Sequence, residues 1–244
     1  MSAAEAMRAM GGFAVAKIAA VAGRGGVVVI APHPDDESLG CGGLISQACA
    51  EGRRVKVIVV SDGTGSHPRS RAYPRTRLRA LRESEARRAA SALGLAPRCV
   101  DFLRLRDRFV PGGGPTARVA VERIVAAARE IDATALFVSW RHDPHCDHRA
   151  AYFLARAAQR ELGSALFEYS IWGAALQAST PVTPATAGFR LKIGRMRALK
   201  RRAIAMHKSQ VSAMIGDDPS GFRLSAKDLL RLSGPFEAYV ASDE

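Results

Sequence analysis

Gly26-Val27-Val28-Val29-Ile30-Ala31-Pro32-His33-Pro34-Asp35-Asp36-Glu37-Ser38-Leu39-Gly40 is the stretch that decides how this chain folds. Val27 to Ile30 form a short β-branched run of the kind buried on both faces of a parallel sheet. The chain then turns through two prolines, and a helix is expected to start near Glu37 or Ser38, its acidic residues suiting a positive N-terminal end. Arg53 and Arg54 lead into a second apolar run, Val55-Lys56-Val57-Ile58-Val59-Val60. Strand, helix and strand in such short order make a βαβ unit, which implies parallel pairing through a right-handed crossover.

The alternation continues outward from that unit. A basic helix should end near Leu93-Gly94, a third strand should span Cys99 to Leu105, and Thr116 could cap a helix running to about Glu130. Ala135 to Trp140 reads as the fourth strand, followed by a helix from His148 to Glu161 and a strand from Ala165 to Ser170. Residues 176–187 read as a loop, Gly194 to His207 as a helix, and Leu224–Leu232 as one more short element. The expected fold is α/β: a single Rossmann-like doubly wound domain with a mostly parallel sheet and helices on both faces. Residues 1–26 read as a helical or partly disordered arm, and 27–244 as the domain proper.

Composition bounds the function classes. Apolar residues are 48% of the 244, enough for a sizeable core without disulfides. The four cysteines form no CxxC pair, and no secretory signal is evident, so they read as reduced thiols of a cytoplasmic protein. No segment reaches the roughly 20 apolar residues of a membrane span. The net charge of +13 is concentrated between Arg69 and Arg88 and between Lys192 and Lys208. Such a field attracts phosphates, nucleic acid or anionic head groups, although a charge run on a helix is usually a solvated face.

Chemistry concentrates in two places. His33-Pro34-Asp35-Asp36-Glu37 follows the first strand, and His142-Asp143-Pro144-His145-Cys146-Asp147-His148 follows the fourth. Five of the six histidines lie in these clusters or at His207. Ligands of open α/β sheets bind at the carboxyl ends of strands, where both clusters fall. Imidazole with carboxylate suits Zn²⁺, or Fe²⁺, and a catalytic zinc takes three protein ligands and one open position. One histidine and one aspartate of the first cluster with one histidine of the second would supply that set. The neighbouring aspartate would then be free to act as a base. The competing reading, that the aspartates cap the next helix, explains one acidic residue but not the whole constellation.

Ala31-Pro32-His33-Pro34-Asp35-Asp36-Glu37 resembles the signature of the LmbE-like, or PIG-L-like, family of N-acetylglucosaminyl deacetylases. Pro144-His145-Cys146-Asp147-His148 resembles the family's second motif, with Cys146 where a proline is usual. Arg82-Glu83, Lys200 and His207-Lys208-Ser209-Gln210 are weaker matches. The resemblance implies His33, Asp36 and His148 as zinc ligands and Asp35 as the general base. It implies His145 as the group that stabilises the oxyanion, in protonated form, and Asp147 as the carboxylate that orients His145. The implied activity is hydrolysis of an N-acetyl group on an amino sugar by metal-activated water. No G-x-S-x-G elbow argues for a serine route.

Asp107, after the third strand, is a candidate sugar contact. Arg77 and Arg82 either bind an anionic part of the substrate or form surface ion pairs, and His207 is a further candidate contact. His142 reads as a residue of the rim or one supporting a ligand, and His67 as a solvent-exposed loop residue. Gly40-Cys41-Gly42-Gly43 lacks the spacing of a dinucleotide site. The partner expected is a small amino sugar, with phosphate-bearing or lipid-linked forms drawn by the basic helices. Three alternatives stand beside it: an amidase for another small N-acyl compound, a basic nucleic-acid-binding protein on a Rossmann-like fold, and a metal-binding scaffold without turnover. No RNA-binding or zinc-finger pattern supports the nucleic-acid reading.

Overall fold

A computed structural model describes residues 1–242. In chain order its elements are α1 (Ala3–Gly12), α2 (Ile18–Ala22), β1 (Gly26–Ala31), α3 (Asp36–Ala50), β2 (Val55–Ser61), α4 (Arg75–Ala92), β3 (Val100–Leu105) and α5 (Gly114–Glu130). There follow β4 (Ala133–Ser139), α6 (Cys146–Leu162), β5 (Ala165–Tyr169), β6 (Gly188–Lys192), α7 (Arg197–Met206), α8 (Lys208–Val211), α9 (Ala226–Leu232) and β7 (Phe236–Ala241). The strands form one sheet in the order β3-β2-β1-β4-β5-β7-β6. Pairings from β3 across to β5 are parallel, while β7 runs antiparallel to both β5 and β6. This is the doubly wound α/β architecture that the alternation implies.

Successive side chains of β1 serve opposite faces, as the pleat demands. Val27, Val29 and Ala31 join a core with Leu39, Leu44 and Ile45 of α3, Ala86 of α4 and Ala203 of α7. Val28 and Ile30 join another with Ile124 of α5 and Leu154 of α6. Both faces of the strand are covered, which is why β1 and β2 read as unbroken apolar runs. The sheet order reverses between β1 and β4, and a crevice opens at their carboxyl ends. Both polar clusters begin there.

Several boundaries differ from the sequence reading. The basic helix α4, expected to follow a loop that ends at about Ser70, starts at Arg75, because Asp217 holds the preceding loop through Ser70 Oγ (2.7 Å) and the N–H groups of Arg71 (2.8 Å) and Ala72 (2.9 Å). Thr116 lies inside α5 and does not cap it; the cap is Gly113, with no side-chain bond. Strands β6 and β7 add to the elements expected from the sequence. Each is short, and charged Arg190, Lys192 and Glu237 interrupt them, so no unbroken apolar run announces them.

The glycines at the start of α3 serve close packing. A β-carbon at Gly40 would lie 2.2 Å from the Tyr169 ring, and one at Gly43 would lie 2.3 Å from Ile193. At the N-terminus, Ser2 and Glu5 form a capping box on α1, whose Ala3, Ala6 and Met10 are buried with Trp140, Val182 and Val240.

Candidate metal centre and active site

The first cluster leaves β1 through Pro32-His33-Pro34 and enters α3. Asp35 occupies the N-cap position, yet its side chain makes no capping bond, and its backbone adopts φ 136° and ψ −28°. A capping aspartate normally spends its carboxylate on the next turn of helix; this one is left for other work. Asp36 lies in the first turn, where its Oδ2 accepts the His33 N–H at 3.0 Å.

The second cluster follows β4. His145 is the N-cap of α6, and its Nδ1 accepts the Asp147 N–H at 3.2 Å. His148 projects from the first turn of α6 and is buried. Its Nδ1 faces Asp143 Oδ2 at 3.0 Å, an oxygen that also accepts the N–H groups of Ile171 (3.0 Å) and Trp172 (3.2 Å). The two clusters meet. Ring centroids of His33 and His148 are 5.3 Å apart, and those of His33 and His145 are 4.6 Å apart.

Asp36 Oδ2 stands 3.3 Å from His33 Nδ1 and 3.2 Å from His148 Nε2. Both imidazoles are committed at their other nitrogen, His148 to Asp143 and His33 Nε2 to Asp147 Oδ2 at 3.1 Å. A histidine whose far N–H is held by a carboxylate presents its near nitrogen as a lone pair, the arrangement of metal-binding histidines. His148 Nε2 is buried and makes no hydrogen bond despite its closeness to Asp36. His33, His145 and His148 together offer ring nitrogens within 4.8 Å of one another. His33, Asp107, His145 and Asp147 form a second such group, so the site offers the mixed N/O donors that a divalent transition-metal ion prefers.

Electrostatics separates the two aspartates. Burial acts to raise the Asp36 carboxyl, but His148 and His33 overrule it and hold the group far below the usual carboxylate range. Burial dominates at Asp35 and pushes it up to about 7, against the pull of Arg82. For His148 the order reverses: burial lowers it, while Asp36 and Asp143 raise it to about 9. Burial and the neighbouring His33 and His148 push His145 down to about 4. Neutral His145, with Nδ1 accepting from the backbone, carries its proton on Nε2. It is therefore a hydrogen-bond donor without being a cation.

A cavity of about 410 Å³ opens over these groups, lined by His33, Asp35, Asp36, Arg82, Asp107 and His145. Asp107 accepts the Gly65 N–H at 2.8 Å and lies 3.5 Å from His33 Nε2. Arg82 is buried beside Asp35 (3.3 Å) and donates to the carbonyls of Pro34 (2.6 Å) and Gly63 (2.8 Å). Two residues expected at the substrate stand elsewhere. Arg77 is exposed and stacks on Tyr73, and His207 is buried behind the site against Glu37 at 3.0 Å; neither lines the cavity. Asp147 grips His33, and only its N–H reaches His145. His67 is buried rather than exposed, beside Ser66 and Gly221. His142 accepts the Thr183 N–H at 3.1 Å, outside the cavity. Gln210, part of a weaker family match, lines the cavity, as do Ser66 and Arg108; the residues that sequence reasoning missed are Asp143, which stands in the second cluster but reveals no role there, and Trp172 and Phe222 of the cavity wall.

A doubly wound sheet with imidazoles and carboxylates gathered at its switch point, and a separate buried carboxylate beside them, is the frame of an enzyme able to work through a metal ion. The chain belongs to the PIG-L family, GlcNAc-PI de-N-acetylase, whose sequence profile matches residues 28–159 and so takes in both clusters. No curated protein matches it. Among solved structures, N,N'-diacetylchitobiose deacetylase from Pyrococcus horikoshii is 20% identical with TM-score 0.66, over 88% of this chain and 83% of that one. The zinc-inhibited form of teicoplanin deacetylase Orf2 is 19% identical with TM-score 0.66, over 89% and 99%. The 4-carboxy-2-hydroxymuconate hydratase GalB from Pseudomonas putida is 17% identical with TM-score 0.60, over 86% and 82%. At such identities the likeness is one of fold, and a hydratase among the neighbours shows that the fold alone does not name the reaction. Among the described residues, no helix is long and apolar enough to cross a membrane.

Proposed function

We propose that this protein removes the acetyl group from the nitrogen of an N-acetylglucosamine-type sugar, with Zn²⁺ held by His33 Nδ1, Asp36 Oδ2 and His148 Nε2. The observation that carries the reading is the contrast between the adjacent aspartates. Asp36 faces two imidazole nitrogens, whereas Asp35 lines the same cavity with its carboxyl pushed up to about 7. A group tuned near neutrality beside a metal ligand set is suited to general-base work. When bound, the cation would polarise the amide carbonyl and make water more acidic. Asp35 takes a proton from the attacking water. The Nε2–H of His145 meets the negative charge growing on the carbonyl oxygen, as preorganised donors do. The C–N bond breaks as a proton returns to the nitrogen, leaving a free amine and acetate. Asp147 keeps His33 in the tautomer that presents Nδ1, and Asp143 does the same for His148 Nε2.

The names of the neighbours support the reading, since one is an N,N'-diacetylchitobiose deacetylase and another a teicoplanin deacetylase. The edge-on pair Trp172 and Phe222, 5.7 Å apart on the cavity wall, suits the apolar face of a sugar ring. Arg108, exposed on the cavity wall, is a cation that a phosphate-bearing substrate could meet. The reading is tested by metal analysis combined with acetate release from a panel of neutral and phosphorylated N-acetyl sugars. One zinc per chain and release that Asp35→Asn abolishes while keeping the metal are expected. Release from N-acyl compounds other than sugars alone would turn the assignment to a different amidase.

A further inference from the structure

Asp35 is held in a backbone conformation that side-chain-bearing residues seldom adopt, with φ at 136°. Such a conformation persists only where the surroundings enforce it. One neighbour is placed to do so. Glu37 Oε2 accepts the Asp35 N–H at 2.9 Å. Its other oxygen, Oε1, accepts Ser38 Oγ–H at 2.7 Å and the Nε2–H of His207 at 3.0 Å. Glu37 and His207 are each 1% exposed, and neither lines the cavity, so both act on it through neighbours, of which Asp35 is the one that Glu37 holds by a hydrogen bond.

The arrangement inverts an ordinary helix start. An aspartate at the N-cap would turn its carboxylate onto the N–H groups of the first turn. Here Glu37, two residues on, turns back onto the N–H of the N-cap residue itself, and the Asp35 carboxylate is released towards the cavity and Arg82. Three donors converge on Glu37, from Asp35, Ser38 and His207. Only a carboxylate accepts from all three, because an amide would point its NH₂ at one of them. The His207 imidazole also holds Glu37 Oε1 in a place closed to water, where a carboxylate without partners would be costly.

We propose that Glu37, backed by His207, is a positioning residue that keeps Asp35 out of its capping role and aimed at the reacting water. This rests on Asp35 being the base. The test is a double-mutant cycle on the zinc-loaded full chain with N-acetylglucosamine. Glu37→Gln should lower kcat by on the order of 10- to 100-fold with little change in KM or zinc content. In an Asp35→Asn background the same substitution should change the residual rate by less than about threefold, since the two act as a unit. Thermal unfolding gives a reading free of activity. With Glu37 intact, Asp35→Gly should melt about 3 °C above Asp35→Ala, because glycine tolerates the enforced φ. In the Glu37→Gln background that gap should close.

Equal losses in both backgrounds, or a melting gap that Glu37→Gln leaves untouched, would overturn the proposal. Should Glu37→Gln fail to fold, His207→Gln enters the same cycle one contact further out. Absence of acetate release by the wild type from every N-acetyl sugar sinks the deacetylase reading instead, and the melting comparison then decides the positioning by itself.

Discussion

Asp147 Oδ2 lies 3.1 Å from His33 Nε2, joining across the sheet two residues that stand 114 positions apart. The same oxygen accepts the N–H of Arg108 at 2.6 Å, and Oδ1 accepts that of Val110 at 3.2 Å. One carboxylate thus ties together the first cluster, the second cluster and the loop after β3. It fixes which nitrogen His33 offers to a cation.

Asp147→Asn places an amide where His33 and two backbone N–H groups all donate. Zinc affinity should fall by about 10- to 100-fold, the usual consequence of losing a carboxylate behind a metal-binding histidine. Competition against a fluorescent chelator measures it. Unchanged affinity would mean that His33 needs no such partner.

Asp143 receives donors from His148, Ser170, Ile171 and Trp172 at 3.0 to 3.2 Å. Asp143→Ala strands them in a closed interior, at a cost of about 3 kcal/mol or more. Chemical unfolding of the metal-free protein should show this loss. A change under about 0.5 kcal/mol, the size of a neutral surface substitution, would rule out the role given to Asp143.

The metal-free protein should lose stability as pH rises from about 6.5 to 9. His148 has a folded pKa raised to about 9 by Asp36 and Asp143 against the effect of burial, so its contribution is full below its ordinary 6.5 and is lost as pH climbs through 9. Asp35, raised by burial to about 7, acts in the same direction between its ordinary 3.8 and 7. Melting temperatures at intervals of pH, with and without zinc, test this. The zinc-free curve should descend and the zinc-loaded curve should be flatter, because the cation takes the place of the protons. A zinc-free curve that rises with pH contradicts the electrostatics described.

Deacetylation should fail on the acidic side as Asp35 takes up its proton. The rate kcat/KM should rise with pH on the acidic side as that carboxyl loses its proton, with a midpoint that the bound cation sets below the value of about 7 that burial gives the metal-free group. Asp35→Asn should retain zinc and show no acidic limb. A limb of unaltered midpoint in that variant would assign it to another group.

Behind the site, Lys200 Nζ lies 2.7 Å from Glu237 Oε1, both buried, and Glu237 also accepts the N–H groups of Gly43 (2.7 Å) and Leu44 (2.8 Å) within α3. Lys200→Met leaves that carboxylate uncompensated and should destabilise the protein by about 3–5 kcal/mol. Denaturant titration reads the effect, and Lys200→Met with Glu237→Gln should recover part of it.

Much of this was legible in the chain. Val27 to Ile30 and Val55 to Val60 carry their burial in their own composition, because both faces of a parallel strand are dry. The two polar clusters could be found because each follows such a run directly. Phe189, Leu191, Tyr239 and Val240 are not legible as strands, since Arg190, Lys192 and Glu237 break their short runs and leave no continuous apolar stretch.

The amino-acid order determined the alternation of strand and helix, the edge of the sheet where the chemistry gathers, and the residue types able to hold a cation, all through local pattern. Tertiary structure decided which nitrogen each histidine offers, which aspartate is overruled by imidazoles and which by burial, and that His207 backs Glu37 while Arg77 stands outside. Those outcomes depend on distances of about 3 Å between segments remote in the chain, the range over which hydrogen bonds and desolvation act.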